Sequence, residues 1–479
     1  MLKLANFGAL RSEILAVAVR ICALGKSTRN STVALGAIVV IGMRIYGAFI
    51  ALLINVLLAR ILSPTDLGIY VFAWTWVSLL SMLAPLGSNT VVIRFIPTYT
   101  AQKNWGLLAG VIRYTLVVSM IAAVSFVGIG YIANTIFASV SSAVYYDATA
   151  IAIFIIPLFT IINVFEEIAR GFKWIAWTHL AGFVIRPTLF LVCCGAVFLF
   201  HERPKAEAII FAAMASCVIS ISIQIYIFIR KVPNVVKNVP PRQNLRLWTR
   251  TAIPLLLVSC FEVVLQNTDL VMLGLVAGPA DTGIYNAGLR ISGCLLFIYF
   301  AVQAFSAPKI AGLFAEEKYS EMLDFVRQAR FWIFMPTLAL AAIVILNGKL
   351  LLSLFGPDFV AAYPAMIFLT CGILIRALFG PIDSLLSMTG HQNQVAICMT
   401  IAAILNILAN WFFIPRFGIS GAALATAMST STEIIALSII AWKTHKLTPF
   451  LLIPINNSQH GTVENGQSGE IRQHLKPAS

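Results

Sequence analysis

The sequence predicts an all-α polytopic membrane protein with about 12 transmembrane helices arranged in two pseudo-symmetric six-helix lobes. Three observations carry that expectation. Of 479 residues, 59% are hydrophobic and 11% charged, and the mean hydropathy is +0.91. Soluble domains hold about 25% charged residues, so a soluble globular enzyme is excluded. Apolar runs follow one another from residue 33 to residue 442, each near the roughly 20 residues that a bilayer-spanning helix needs. A short segment near the first run also returns after mid-chain, as expected of two related halves.

In the first half the runs lie at 33–59, 67–90, 106–133, 149–165, 178–200 and 206–229. In the second they lie at 251–277, 283–308, 331–355, 363–387, 394–414 and 419–442. Backbone polar groups facing lipid must be satisfied within their own segment, so each run is read as a helix. The organisation expected is a cytoplasmic amphipathic segment (1–32), a first lobe (33–229), a basic linker (230–250), a second lobe (251–442) and a polar cytoplasmic tail (443–479), its end disordered. The first segment sets Lys3, Arg11, Arg20, Lys26 and Arg29 among Leu4, Phe7, Leu10, Ile14 and Leu15, the pattern of a helix lying on a membrane surface. Arg20 interrupts its apolar stretch and no small-residue cleavage site follows, which argues against a signal peptide.

The net charge of +14 is explained by topology. An even number of spans puts both termini on one side, and that side collects 23 of the 33 Lys and Arg residues. The opposite side has Arg60, Arg203, Lys205, Lys349 and Arg416. The basic side is expected to be the cytoplasm, which leaves no need for a nucleic-acid partner. The linker RKVPNVVKNVPPRQNLRLWTR has six basic residues and no acid. It reads as an extended, topology-setting hinge, with anionic-lipid contact as a second possibility.

The recurring segment is LLARILSPTDLGIY at 57–70 and MLGLVAGPADTGIY at 272–285. Leu58, Pro64, Asp66, Gly68, Ile69 and Tyr70 recur at a constant offset of 215 as Leu273, Pro279, Asp281, Gly283, Ile284 and Tyr285. Each copy joins the first and second spans of its half, so the repeat is parallel. Transporters of this plan hold substrate between the halves and rock them about it.

Ionisable residues inside spans are costly and mark function by default. Arg44, Arg113, Arg186, Arg290 and Arg376 fall within spans, as do Glu262, Asp269, Asp383 and Glu433. Arg113, near a span end, reads as snorkelling to the interface. Arg44, Asn55, Arg186, Arg290 and Arg376 are the substrate-binding candidates, because guanidinium binds phosphate and carboxylate oxygens bidentately. Glu262, Asp269, Asp383 and Glu433 are the coupling candidates, for H⁺ or Na⁺. Glu262, Gln266 and Asp269 share one helical face, as do Thr426, Ser429, Thr430 and Glu433; both stripes read as the lining of a hydrated cavity. A kink at Pro381 would bring Arg376 and Asp383 together. Structural pairing between helices is the competing reading for all of these residues.

Eight cysteines are scattered without a CxxC pair and read as small buried hydrophobes. No phosphate loop, HExxH or metal-ligand cluster occurs. No catalytic residue, metal site or cofactor is therefore expected, and direct ATP drive is disfavoured.

The span plan, LLARILSPTDLGIY, GPADTGIYNAGLRI and NILANWFFIPRFGISGAALATAMS (406–429) resemble the polysaccharide transporters, or oligosaccharide flippases, of the multidrug/oligosaccharidyl-lipid/polysaccharide exporter superfamily. The likeness runs from about 33 to 442. It implies a V-shaped pair of lobes in a bacterial inner membrane, alternating between two openings. It also implies an undecaprenyl-pyrophosphate-linked oligosaccharide as substrate, flipped for O-antigen (lipopolysaccharide), capsule or exopolysaccharide synthesis. Membrane lipids, a polysaccharide polymerase and a chain-length regulator would be partners. On this reading Pro64, Gly68, Pro279 and Gly283 turn the chain, while Gly418 and Gly421 allow close helix packing. Drug exporters of the superfamily often use an acid in the first half, and no mid-membrane acid is read there. A cation-coupled multidrug exporter and a membrane enzyme of polysaccharide assembly stay open as alternatives.

Overall fold

The computed structural model describes the backbone of residues 28–140, 143–200, 204–237 and 239–445, which is helical with no strand among them. The expected amphipathic segment and the tail lie almost wholly outside the described residues. The first half comprises α1 (Thr28–Ile61), α2 (Pro64–Leu83), α3 (Ser88–Ala101), α4 (Trp105–Val140), α5 (Tyr146–Ala152), α6 (Ile155–Gly171), α7 (Ile175–His179), α8 (Arg186–Phe200) and α9 (Ala206–Lys231). The second comprises α10 (Leu245–Val276), α11 (Pro279–Gly293), α12 (Leu296–Ala315), α13 (Tyr319–Leu346), α14 (Tyr363–Phe379), α15 (Ile382–Met388) and α16 (Gln392–His445).

Ten helical segments among the described residues are long and apolar enough to cross a membrane, set against twelve apolar runs in the sequence. The difference lies in the second half. The run at 251–277 is not one of the ten, and Gln392–Thr444 is a single 53-residue stretch covering the last two runs. That stretch is not straight. Asn406 Nδ2 donates to Ser429 Oγ at 3.0 Å, although 23 residues of straight helix would separate them by about 35 Å. Gly418, at φ 54° and ψ −130°, breaks the helix and folds it into a hairpin.

Both copies of the repeat are helix starts. Pro64 and Pro279 take the first helical position, with Asp66 and Asp281 in the first turn, where a missing N–H costs nothing and negative charge faces the positive helix end. Ser63 Oγ caps α2 by accepting from Asp66 N at 3.1 Å. The two copies also touch each other reciprocally. A Cβ on Gly68 would run into the Pro279 carbonyl, and one on Gly283 into the Pro64 carbonyl. This is the self-complementary contact that a two-fold relation between the halves requires. Gly68 and Gly283 thus serve close helix approach, whereas Gly418 makes the turn; the resemblance implied the opposite assignment. Gly421, packed on the Phe413 carbonyl, does serve close packing.

The halves are tied together on the face that carries these repeat loops. Arg60 donates to the Leu354 and Ser353 carbonyls at 2.6 and 2.8 Å. Tyr145 Oη donates to the Gly274 carbonyl at 2.9 Å. Toward the linker face, α10 runs along α2, from Gly274 against Phe72 to Ala252 against Gly87.

Three further details differ from the expectations. The loop after the second run contains α3, a 14-residue helix. The linker is only partly extended: Asn234–Lys237 is a helical turn and residues 245–250 already belong to α10. It is also docked on α4, since Arg242 N donates to the Gly106 carbonyl at 2.8 Å. Finally, α6 continues to Gly171, six residues beyond the apolar run, so Glu166 and Glu167 lie inside a spanning segment of the first half. Both stand in the last six residues of that segment, near its end and not at mid-membrane, where the sequence reads no acid.

Candidate functional site

A cavity of about 270 Å³ opens where the halves meet. Its walls come from five helices. Asn55 stands on α1; Tyr70, Trp74 and Thr75 on α2; Arg186 and Phe190 on α8; Ser216 and Cys217 on α9; and Arg290 on α11. Of the five substrate-binding candidates, the fold brings Asn55, Arg186 and Arg290 into this one space. Its lining contains two arginines and no carboxylate.

Local structure explains how each polar group is aimed. Arg186 follows Leu180–Ile185, a turn of π-helix, whose extra residue rotates the face that comes next; such turns recur at functional sites. Its guanidinium sits over the Phe159 ring at 4.8 Å and forms no ion pair among the described residues. Arg290 lies one turn beyond Asn286 on α11, and its Nε donates to Asn286 Oδ1 at 3.2 Å. Asn286 Nδ2 in turn donates to Asn55 Oδ1 at 3.2 Å. This Arg290–Asn286–Asn55 relay joins the two halves at the cavity. Asn286 was not singled out in the sequence, although its spacing of four from Arg290 within GIYNAGLRI was the available signal.

The other two arginines have different surroundings. Arg44 stacks on Phe183 at 5.5 Å, its Nε buried without a hydrogen-bond partner. Arg376 is held inside the second half. The break at Gly380, φ 70°, turns α14 into α15 and places Asp383 Oδ2 3.5 Å from the Arg376 guanidinium, as the kink at Pro381 led one to expect. Glu433 lies 3.8 Å away on the last helical limb. Tyr299 Oη and Gln303 Nε2 donate to the two Asp383 oxygens at 2.9 and 2.7 Å. Arg376 is therefore held in a network of ion pairs, whereas among the described residues Arg290 forms no ion pair and Arg186 meets the charge of Glu166 only at longer range.

Three coupling candidates lie in helix-packing networks and do not line the cavity. Asp383 and Glu433 are 7% and 4% exposed, and Asp269, at 4%, accepts from Tyr285 Oη at 2.7 Å. The stripe of Thr426 and Ser429 packs on Asn406 within the hairpin. These are protein contacts where the sequence suggested hydrated lining. The side chain of Glu262 lies outside the described ones. No metal-binding group of three or more His, Cys, Asp or Glu occurs among the described residues. A second cavity, of about 390 Å³, is lined by Phe72, Trp76, Phe126, Ile153 and other apolar groups with no charged side chain, so nothing there holds an ionic head group.

Comparison with known proteins bears on the family and the fold. The profile of the family described as "Polysaccharide biosynthesis protein" matches residues 33–311, and that of MatE matches residues 254–412. A probable low-salt glycan biosynthesis flippase of Haloferax volcanii is 21% identical over 272 residues, 56% of this chain and 54% of that protein. Among solved structures, an inward-facing multidrug resistance MATE transporter of the MOP superfamily superposes with a TM-score of 0.71 at 15% identity, covering 86% of this chain and 98% of the other. The lipid II flippase MurJ, inward closed, superposes with a TM-score of 0.67 at 14% identity, covering 85% and 87%.

Proposed function

The chain belongs to the polysaccharide biosynthesis protein family, transporters of the MOP superfamily and not enzymes, and from that premise we propose that it flips a polyprenyl-pyrophosphate-linked oligosaccharide across the bacterial cytoplasmic membrane by alternating access. The observation that carries this reading is a cavity whose lining holds two arginines, neither in an ion pair among the described residues, and no acid. A diphosphate carries the charge that such a pair lacks, and each guanidinium can grip it with two parallel hydrogen bonds. The prenyl chain stays in the bilayer while the head group crosses between the halves. Undecaprenol is the carrier we propose, with O-antigen, capsule or exopolysaccharide as the product. Arg186 and Arg290 hold the diphosphate, and Asn55 positions Arg290 through Asn286. The Arg376–Asp383–Glu433 network is proposed to carry the coupling H⁺ or Na⁺, because it is the buried charge cluster that lies away from the substrate.

The MATE likeness keeps a drug-exporter reading in view, and Glu166 supplies an acid in the first half. The cavity chemistry favours an anion over a cationic drug. The deciding experiment reconstitutes the protein in liposomes with a fluorescent undecaprenyl-pyrophosphate disaccharide and measures its movement between leaflets. Wild type moves it; Arg186→Ala and Arg290→Ala lower the rate at least tenfold, the loss of about 1.4 kcal/mol or more. Wild-type rates in both variants, or transport of a cationic dye alone, overturn the proposal.

A further inference from the structure

The cavity has one feature that a diphosphate leaves unused. Tyr70 and Trp74 are 6.3 Å apart between ring centroids and inclined by 21°. Tyr70 and Phe190 are 6.2 Å apart at 16°, and Trp74 and Phe190 6.5 Å apart at 9°. Three nearly parallel rings at three nearly equal separations cannot form a column, which would give two short distances and one long one. All three line the cavity and make up its aromatic panel. Phe159 backs it, 5.4 Å from Trp74, and is the same ring that carries the Arg186 guanidinium. The panel and the cation therefore share a support, and their spacing is fixed.

An apolar tail would not call for arginines, and a bare anion would not call for three near-parallel rings beside them. A sugar ring attached to a diphosphate needs both. Its C–H face is slightly positive and packs on the negative face of aromatic rings, while its hydroxyls point sideways and its phosphate projects from one edge. The cavity, of about 270 Å³, has room for a sugar ring beside the arginines. We propose that Tyr70, Trp74 and Phe190 form a stacking subsite for the sugar directly joined to the pyrophosphate, which places that phosphate on Arg186 and Arg290. The subsite rests on the flippase reading and adds to it: the protein selects by the first sugar.

The test uses full-length protein in detergent and two probes, undecaprenyl pyrophosphate and the same lipid bearing one N-acetylglucosamine. Wild type is expected to bind the glycosylated lipid more tightly. Trp74→Ala loses that preference while binding the bare lipid as wild type does, Trp74→Phe retains most of it, and Arg186→Ala weakens both probes. A preference that survives in Trp74→Ala, or equal weakening of both probes in a Trp74→Ala protein of wild-type thermal stability, overturns the subsite and leaves the flippase reading standing. Displacement of the glycosylated probe by uridine diphosphate at equal concentration also overturns it, in favour of a nucleobase on the panel. Failure of wild type to bind either probe removes both proposals.

Discussion

Arg290 and Arg376 each stand in the last turn of a helix of the second half, yet they differ in what surrounds them. Arg376 is held by Asp383 and Glu433 and lies over the Tyr299 ring at 5.1 Å. Arg290 donates to the amide oxygen of Asn286 and forms no ion pair among the described residues. Removing one partner of a buried ion pair strands the others and costs about 3–5 kcal/mol. Arg376→Ala is therefore expected to lower the thermal midpoint in detergent by many degrees and to reduce the amount of inserted protein. Arg290→Ala is expected to leave the midpoint nearly unchanged while abolishing transport. Calorimetry of both variants checks the pair, and an unshifted midpoint in Arg376→Ala would show that the network bears no structural load. The sequence marked both arginines as candidates through the cost of a charge in lipid. The kink at Pro381 hinted at Asp383 beside Arg376, but the second acid, Glu433, comes from another helix and could not be placed from the sequence.

At the level of elements, two glycines decide how helices meet and a third decides where one turns. The α2–α11 crossing lets backbone touch backbone at Gly68 and Gly283, so any side chain there forces the halves apart. We expect Gly68→Ala to open the repeat-loop face. A cysteine placed at Asn55 in a protein stripped of its native cysteines then reacts faster with a membrane-impermeant thiol reagent applied from that side, and unchanged labelling contradicts the crossing as a seal. Gly418, at φ 54° and ψ −130°, occupies backbone space that an L side chain rarely reaches. Gly418→Ala is expected to cost on the order of 1–2 kcal/mol, seen as a lower unfolding midpoint with transport retained in the folded fraction. Both roles were legible as "glycine needed here". Which glycine turned the chain and which let helices touch was not, since that depends on what lies opposite each Cα.

For the whole molecule, the structure is closed where the repeat loops lie. Arg60, the Asn55–Asn286 pair, Tyr145 and the glycine crossing all join the halves on that side. On the proposed alternating-access cycle these ties open together, so their removal should not be additive. Arg60→Ala is expected to raise labelling of the same Asn55 cysteine, and the Arg60→Ala, Gly68→Ala double variant to raise it by less than the two separate effects combined. Strict additivity would mean the ties act independently and do not form one seal.

The sequence by itself determined the membrane class, the helical content and the two-fold repeat, because these follow from composition, run length and local pattern, which the bilayer reads segment by segment. It also supplied the arginines and acids that merit attention. Only the tertiary structure decided that Arg186 and Arg290 share a cavity, that Arg376 is compensated, that the repeats touch each other, and that three aromatic rings from two helices line the cavity. A charge or a ring acquires its role from neighbours far away in the chain, and those neighbours are fixed by packing between helices.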